Sequence, residues 1–310
     1  MSKVAIKKQS TPSEDTRSKS GIYTVIGIDT YIGAHMLKHL REKNQFVYGH
    51  SQEEDVTLDF KEIPVDEISK LPEDVPSVQS HWLVICIDPS IGFEKYTTKI
   101  KKLFDDLENQ EFTGDICLFS SATICMPNLD KPISENTVVY SRNKHDLALA
   151  TGENLLTVLG CSEKGYIVPH IMRLGIPYGD EIGMKNLPYF VNHMINDAEN
   201  KSSLMIPIGG DAKRSLTHIS DICEAAMALM NSDYCPALVN IPGEVKTITE
   251  VGSAISNKYH VDFMERGLNM HDNPDYFAGD QHLSDEYFNE NVVFTRKYTF
   301  EQWLEELPPK

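Results

Sequence analysis

Several absences narrow the possibilities first. The chain has six cysteines, Cys86, Cys117, Cys125, Cys161, Cys223 and Cys235, yet no C-x-x-C pair and no Cys/His spacing suited to a metal. Four of them lie in or beside apolar segments, so they read as reduced core residues, and no metal site is expected. No apolar run approaches the ~18 residues of a membrane span, and the polar start lacks the apolar stretch of a secretory signal. A membrane is therefore not expected as a partner, and the cytoplasm is the simplest location. Positive charge is also scarce: 29 Lys and Arg stand against 46 Asp and Glu, for a net charge of -17. That balance argues against nucleic acid or an anionic membrane as the main partner. Any anionic ligand must then be held by locally placed cations and backbone N–H groups.

What is present suits a large folded core, because 310 residues at 41% hydrophobic content can bury one to two domains. Residues 1 to 20 are rich in Ser, Lys, Thr and Gln, and a disordered lead is expected there. Tyr23-Thr24-Val25-Ile26 then reads as a strand, Gly27 as a turn, residues 34–41 as a helix and Phe46-Val47-Tyr48 as a second strand, which makes a βαβ unit. Trp82 to Ile87 is a continuous apolar run of the kind buried on both faces of a parallel sheet, and residues 94–109 follow as an amphipathic helix. Cys117-Leu118-Phe119 is the next strand, ending at Ser120-Ser121. A helix carrying Tyr140 and Lys144 is expected to run to about Leu159 before Gly160, followed by a strand over 167–174. Strands alternating with helices predict an α/β fold with a doubly wound parallel sheet over residues 21–178. From 179 to 310 the elements are shorter: helices over 187–198 and 221–230, and a third opened by the capping box Thr247-Ile248-Thr249-Glu250. They are assigned mostly to a smaller lobe over the carboxyl ends of the strands, with some segments returning to the sheet. Open α/β sheets bind ligands at those ends.

The chemistry points to Tyr140-Ser141-Arg142-Asn143-Lys144. Residues at i and i+4 share a helix face, so Lys144 can stand beside Tyr140 and stabilise its phenolate. A phenol with a pKa near ~10 needs such a cation before it can act as acid or base at neutral pH. The hydroxyl of Ser121 can then hold a substrate oxygen.

The glycine turn Gly27 to Gly33, the Ser120-Ser121 strand end, the Tyr-x-x-x-Lys stretch, Arg173-Leu174-Gly175-Ile176-Pro177-Tyr178-Gly179 and Arg214-Ser215-Leu216-Thr217-His218 follow one another in an order that resembles the extended short-chain dehydrogenase/reductases, specifically the NAD-dependent epimerase/dehydratase family acting on nucleotide sugars. The resemblance implies a Rossmann-type sheet, an NAD or NADP cofactor and a homodimer built through the Tyr140 helix. It implies Tyr140 as acid/base, Lys144 on the nicotinamide ribose, and Ser121 on the sugar hydroxyl with Thr123 close by. It also implies Arg214 on the substrate diphosphate, and Asn186 and Leu187 near the nucleotide base. Cofactor contacts are expected from Gly27, Thr30, Tyr31, Ile32, Gly33, Ser51 with His50, and Pro177. Ala122-Thr123 stand where 4,6-dehydratases carry an Asp-Glu pair, so a 4-epimerase or a 4-ketoreductase is the implied activity.

The chain departs from the family pattern at four places. Thr30 replaces the middle glycine of the turn, and Asp29 brings a carboxylate toward the place of an anionic ligand. The second strand ends in Tyr48-Gly49-His50-Ser51-Gln52, without the acidic residue that binds a ribose diol. Ile87-Asp88-Pro89 replace small residues beside the dinucleotide. These departures are expected to weaken or rearrange cofactor binding, and they motivate the alternative of a degenerate member that binds a nucleotide or a partner protein without catalysis.

Overall fold

The computed structural model describes residues 22–52, 81–127, 131–164, 166–179, 189–207, 210–266 and 279–308. The expected N-terminal lead and the base contacts Asn186 and Leu187 lie outside the described residues.

Strand β1 (Ile22–Ile26) enters a turn at Gly27, and helix α1 (Tyr31–Glu42) returns the chain to β2 (Phe46–His50). Strand β3 (His81–Ile85) leads through a short 3-10 turn at Pro89–Ile91 into α2 (Phe93–Asn109). Strand β4 (Thr113–Ser121), helix α3 (Lys144–Leu159) and strand β5 (Tyr166–Leu174) complete the first half. These strands form a parallel sheet in the order β2-β1-β3-β4-β5-β9, where β9 is Leu238–Ile241.

The strands are apolar throughout because both faces of the sheet are covered. Trp82, Val84 and Cys86 pack on one side with Met36 and Leu40 of α1 and with Ile222 and Ala226 of α5 (Ile219–Met230). Leu83, Ile85 and Ile87 pack on the other with Ile100 and Phe104 of α2 and Leu156 of α3. A run of residues with period two that is hydrophobic on both phases can bury itself only in this way.

Beyond β5 the chain builds a second layer around its own core. Strands β6 (Ile176–Tyr178), β8 (Lys213–His218) and β10 (Glu244–Thr247) make a three-stranded sheet in the order β10-β8-β6, and β7 (Ser203–Pro207) pairs with β11 (Asp262–Arg266). Helices α4 (Phe190–Asn200), α6 (Ile248–Tyr259) and α8 (Phe300–Glu306) enclose this lobe around Phe190, Ile255 and Trp303. Helix α7 (Glu286–Asn291) instead sends Phe288 back to the main core. The Thr247 capping box forms as expected, with the Thr247 hydroxyl accepting from Glu250 N and the Glu250 carboxylate accepting from Thr247 N.

Helix α3 differs from the expectation. It begins at Lys144, capped by the Asn143 side chain, which accepts from Asp146 N at 2.8 Å. Tyr140 therefore lies outside the helix, in a segment tied to the loop after β4. Val139 bridges Cys125, and Tyr140 N donates to the Ile124 carbonyl at 2.7 Å. The shared helix face that would pair Tyr140 with Lys144 does not exist, because an Asn N-cap stops the helix one residue short of including even Asn143.

Candidate active site

At the carboxyl ends of the strands a cleft of about 280 Å³ lies between the main sheet and the second lobe. Each neighbouring element contributes to its wall. Thr30 and Ile32 come from the turn into α1, and Ile87, Asp88, Pro89 and Ser90 from the segment after β3. Ser120, Ser121 and Thr123 close the end of β4, and Leu174 to Pro177 the end of β5. Helix α3 offers His145, Asp146 and Leu149, and the second lobe offers Tyr189 and His193.

The two outer glycines of the turn keep the tight strand-to-helix junction. Gly27 has φ of +89°, and a Cβ there would lie 2.8 Å from the Cys86 carbonyl oxygen. At Gly33 a Cβ would stand 1.9 Å from the Gly27 oxygen, so the helix meets the strand at a distance only glycine allows. Thr30 does not project at a ligand. Its hydroxyl donates toward the Gly27 and Cys86 carbonyls at 2.8 and 2.9 Å and accepts from Gly33 N at 3.1 Å, capping α1. The Asp29 carboxylate is drawn aside to the end of β2, where it accepts from Ser51 Oγ at 2.5 Å and from Gln52 N at 2.7 Å. Ser51 is thus engaged by Asp29, and the His50 carbonyl accepts from Gly27 N and Ile28 N. Gln52 Oε1 in turn accepts from Asp88 N at 3.0 Å, tying the end of β2 to the segment after β3.

Around the end of β4 the cleft wall carries the hydroxyls of Ser120, Ser121 and Thr123. Ser121 Oγ accepts from Thr123 N at 3.2 Å, while Ser120 Oγ and Thr123 Oγ1 are buried without a hydrogen-bond partner. Arg142 Nη2 donates to the Thr123 carbonyl at 2.8 Å. Asp146 is fully buried, accepts from Arg142 N at 3.2 Å and faces Arg142 Nε at 3.6 Å. Arg214 is buried too, but its Nη1 donates to the Lys213 and Gly279 carbonyls, and it reaches only a small recess beside Ser121 and Thr123.

The structure thus gathers Ser121, Thr123, Thr30, Ile32 and Pro177 at one cleft, with Gly27 and Gly33 in the turn that carries Thr30 and Ile32, and Arg214 at a small recess that Ser121 and Thr123 share. It does not bring Tyr140 and Lys144 there. Tyr140 is 59% exposed, and Lys144 Nζ lies on the surface 3.4 Å from Glu94 Oε1. The face of α3 turned to the cleft instead carries His145 and Leu149, a pair with the same i, i+4 spacing placed five residues later. A buried bidentate pair fixes that register: Arg173 of β5 donates from Nε and Nη2 to the two oxygens of Glu153 at 2.9 and 2.7 Å. Sequence reasoning missed His145 and Asp146. The signal available was Asn143 three residues before Asp146, an N-cap spacing that starts the helix after Tyr140.

Residues 23–241 match the family described as the NAD dependent epimerase/dehydratase family. The chain belongs to this family. Solved structures share the fold across nearly the whole chain. One is an NAD dependent NDP-hexosamine 5,6-dehydratase, TunA, involved in tunicamycin biosynthesis, at 12% identity, covering 91% of this chain and 95% of the other with a TM-score of 0.70. Another is MoeE5 in complex with UDP-glucose and NAD, at 16% identity, 92% and 96% coverage and a TM-score of 0.69. A third is UDP-glucose 4-epimerase of Thermotoga maritima with UDP-glucose, at 14% identity, 91% and 96% coverage and a TM-score of 0.68. At these identities the likeness is one of fold. A comparison with curated protein sequences finds no match. Among the described residues no helix is long and apolar enough to cross a membrane, and no His, Cys, Asp and Glu cluster suits a metal ion.

Proposed function

We propose that the chain binds a nicotinamide dinucleotide, NAD or NADP, together with a nucleotide-sugar-like substrate, and works at a sugar carbon as an epimerase or ketoreductase. The observation that carries this reading is the cleft that joins Thr30 and Ile32 of the glycine turn to the end of β4 at Ser121. The turn fits the group. Its glycines allow close approach, and the N-terminus of α1 supplies backbone N–H groups and a favourable dipole for a pyrophosphate. When bound, the dinucleotide would accept or supply a hydride. Ile32, Ile87 and Pro177 would flank it and keep water away, and Thr30 would hold the turn.

On the substrate side, Ser121 already accepts from Thr123 N, which leaves its own O–H to donate to a sugar oxygen. Half-buried Thr123, whose hydroxyl oxygen has no hydrogen-bond partner, offers a second polar contact. Ala122 and Thr123 provide no carboxyl pair for elimination, which favours epimerisation or reduction over dehydration. Arg214 stands close enough to favour an anionic substrate by its field, with its guanidinium held by two carbonyls. Exposed Leu147 and Val158 on α3 support a homodimer through that helix.

A second reading, a member that binds a nucleotide or partner protein without turnover, is favoured by the surface positions of Tyr140 and Lys144. Titration calorimetry with NAD+, NADH, NADP+ and NADPH separates the two, along with mass analysis of small molecules released on denaturation. Binding of one dinucleotide is expected. If none binds at millimolar concentration, the second reading takes its place.

A further inference from the structure

From the register of α3 we infer that His145, and not Tyr140, is the group that exchanges a proton with the substrate in this cleft. The inference rests on the hydride-transfer reading above and names its acid/base.

The placement comes first. His145 borders the cavity from the first turn of α3, on the same wall as Asp146 and Leu149 and with Ser121 and Thr123 at the end of β4. Moving Tyr140 into that position would require breaking the Tyr140 N bond to Ile124, the Val139–Cys125 bridge, and the Asn143 cap, or sliding α3 against the buried Arg173–Glu153 pair.

The surroundings of the imidazole suit a proton carrier. Its Nδ1 is buried 4.0 Å from Asp146 Oδ1, and neither atom has a hydrogen-bond partner. Asp146 is itself completely buried at the wall of the cavity, with Arg142 Nε 3.6 Å from its Oδ2, and its unpartnered Oδ1 stands where it can orient the imidazole. Such an oxygen is costly to bury unless something charged or hydrogen-bonded comes to it.

Leu149 supplies the chemical argument. A phenol needs a neighbouring ammonium to lower its proton affinity, whereas an imidazole already titrates near neutrality and would be hindered by one. With histidine at 145, a buried apolar residue at 149, 4% exposed, is the suitable partner one turn later. In the oxidative direction the substrate O–H proton passes to the imidazole as the hydride leaves the same carbon for NAD(P)+, and the C=O bond forms. The alcohol is oxidised and the dinucleotide reduced. In the reverse direction His145 returns the proton to the oxygen.

Four other ionisable groups border the cavity, Cys86 and Asp88 after β3, Tyr189 at the start of α4 and His193 on α4, so the test sets Tyr189→Phe and His193→Gln beside the His145 variant. The full-length protein is labelled with 15N-histidine, and the His145 ring signals are assigned by their loss in His145→Gln. Addition of UDP-glucose, UDP-glucuronic acid or dTDP-glucose together with NADH is expected to shift those signals. Turnover of the same sugars with NAD+ or NADP+, followed by nicotinamide absorbance and by sugar chromatography, is expected to fall at least a hundredfold in His145→Gln. Tyr140→Phe and Lys144→Ala should stay within about twofold of the parent, and a melting curve of each variant verifies its fold. A parent that turns over while His145→Gln matches it overturns the inference and leaves the hydride-transfer reading standing. Loss in Tyr140→Phe, Tyr189→Phe or His193→Gln, with His145→Gln unaffected, overturns it equally. No turnover and no shift of His145 with any of the three sugars removes both.

Discussion

Gly33 shows how one position constrains this site. A methyl group there would lie 1.9 Å from the Gly27 carbonyl oxygen, a backbone atom that cannot give way without opening the turn. Gly33→Ala is expected to destabilise the protein by about 1–3 kcal/mol, as overpacking does, and to weaken dinucleotide binding further. Denaturant unfolding and calorimetry measure the two effects separately. Residues of this kind were legible in the sequence, since a glycine between a strand and a helix has few other reasons to be there. Asp29 was not. Its charge suggested repulsion of an anion at the helix terminus, and only the fold brings Ser51 Oγ and Gln52 N, more than twenty residues away, to hold its carboxylate at the end of β2. Thr30 likewise stands in place of a glycine, yet its side chain is absorbed by two carbonyls of neighbouring segments.

Among the elements, α3 carries the side chains on which the proposed acid/base depends. Its length and its end near Gly160 follow from pattern, while its start depends on one capping residue, Asn143. A motif four residues long straddles that start, so a shift of a few residues changes which side chains face the cleft. The helix is then locked by Glu153 and Arg173, both nearly inaccessible to solvent. Removing one member of a buried pair leaves the other charge without compensation, so Glu153→Ala is expected to cost about 3–5 kcal/mol. Thermal or urea unfolding checks that loss. A cost below about 1 kcal/mol would mean that α3 takes its register from apolar packing alone. Strands β1 to β5 and helices α1, α2 and α4 to α6 were readable because each carries a periodic or continuous apolar signal, whereas the short strands after β5 carry none that stood out. Contacts between Tyr140 and Ile124, or Gln52 and Asp88, carry no such signal.

For the whole molecule, the proposed dimer would use the exposed apolar side chains of α3. Leu147 is 44% exposed and Val158 70%, and eleven residues, about three turns, separate them along one face. The homodimer proposed through this helix predicts that Leu147→Asp with Val158→Asp yields a monomer, whereas the parent runs at twice the chain mass in light scattering. A monomeric parent would remove that proposal. The net charge of -17 acts at this scale as well: under the proposed function, an anionic ligand would rely on the backbone N–H groups at α1 and the field of Arg214.

The sequence by itself determined the α/β class, the alternation of strands and helices up to β5 and the glycine turn, because these rest on local periodicity and short-range steric need, and the order of its motifs carried the resemblance to the family. Only the tertiary structure decided which residues meet at the cleft. Hydrogen bonds between distant segments set the start of α3, the direction of Asp29 and the commitment of Arg214, and they place His145 and Leu149 at the wall where Tyr140 and Lys144 were expected.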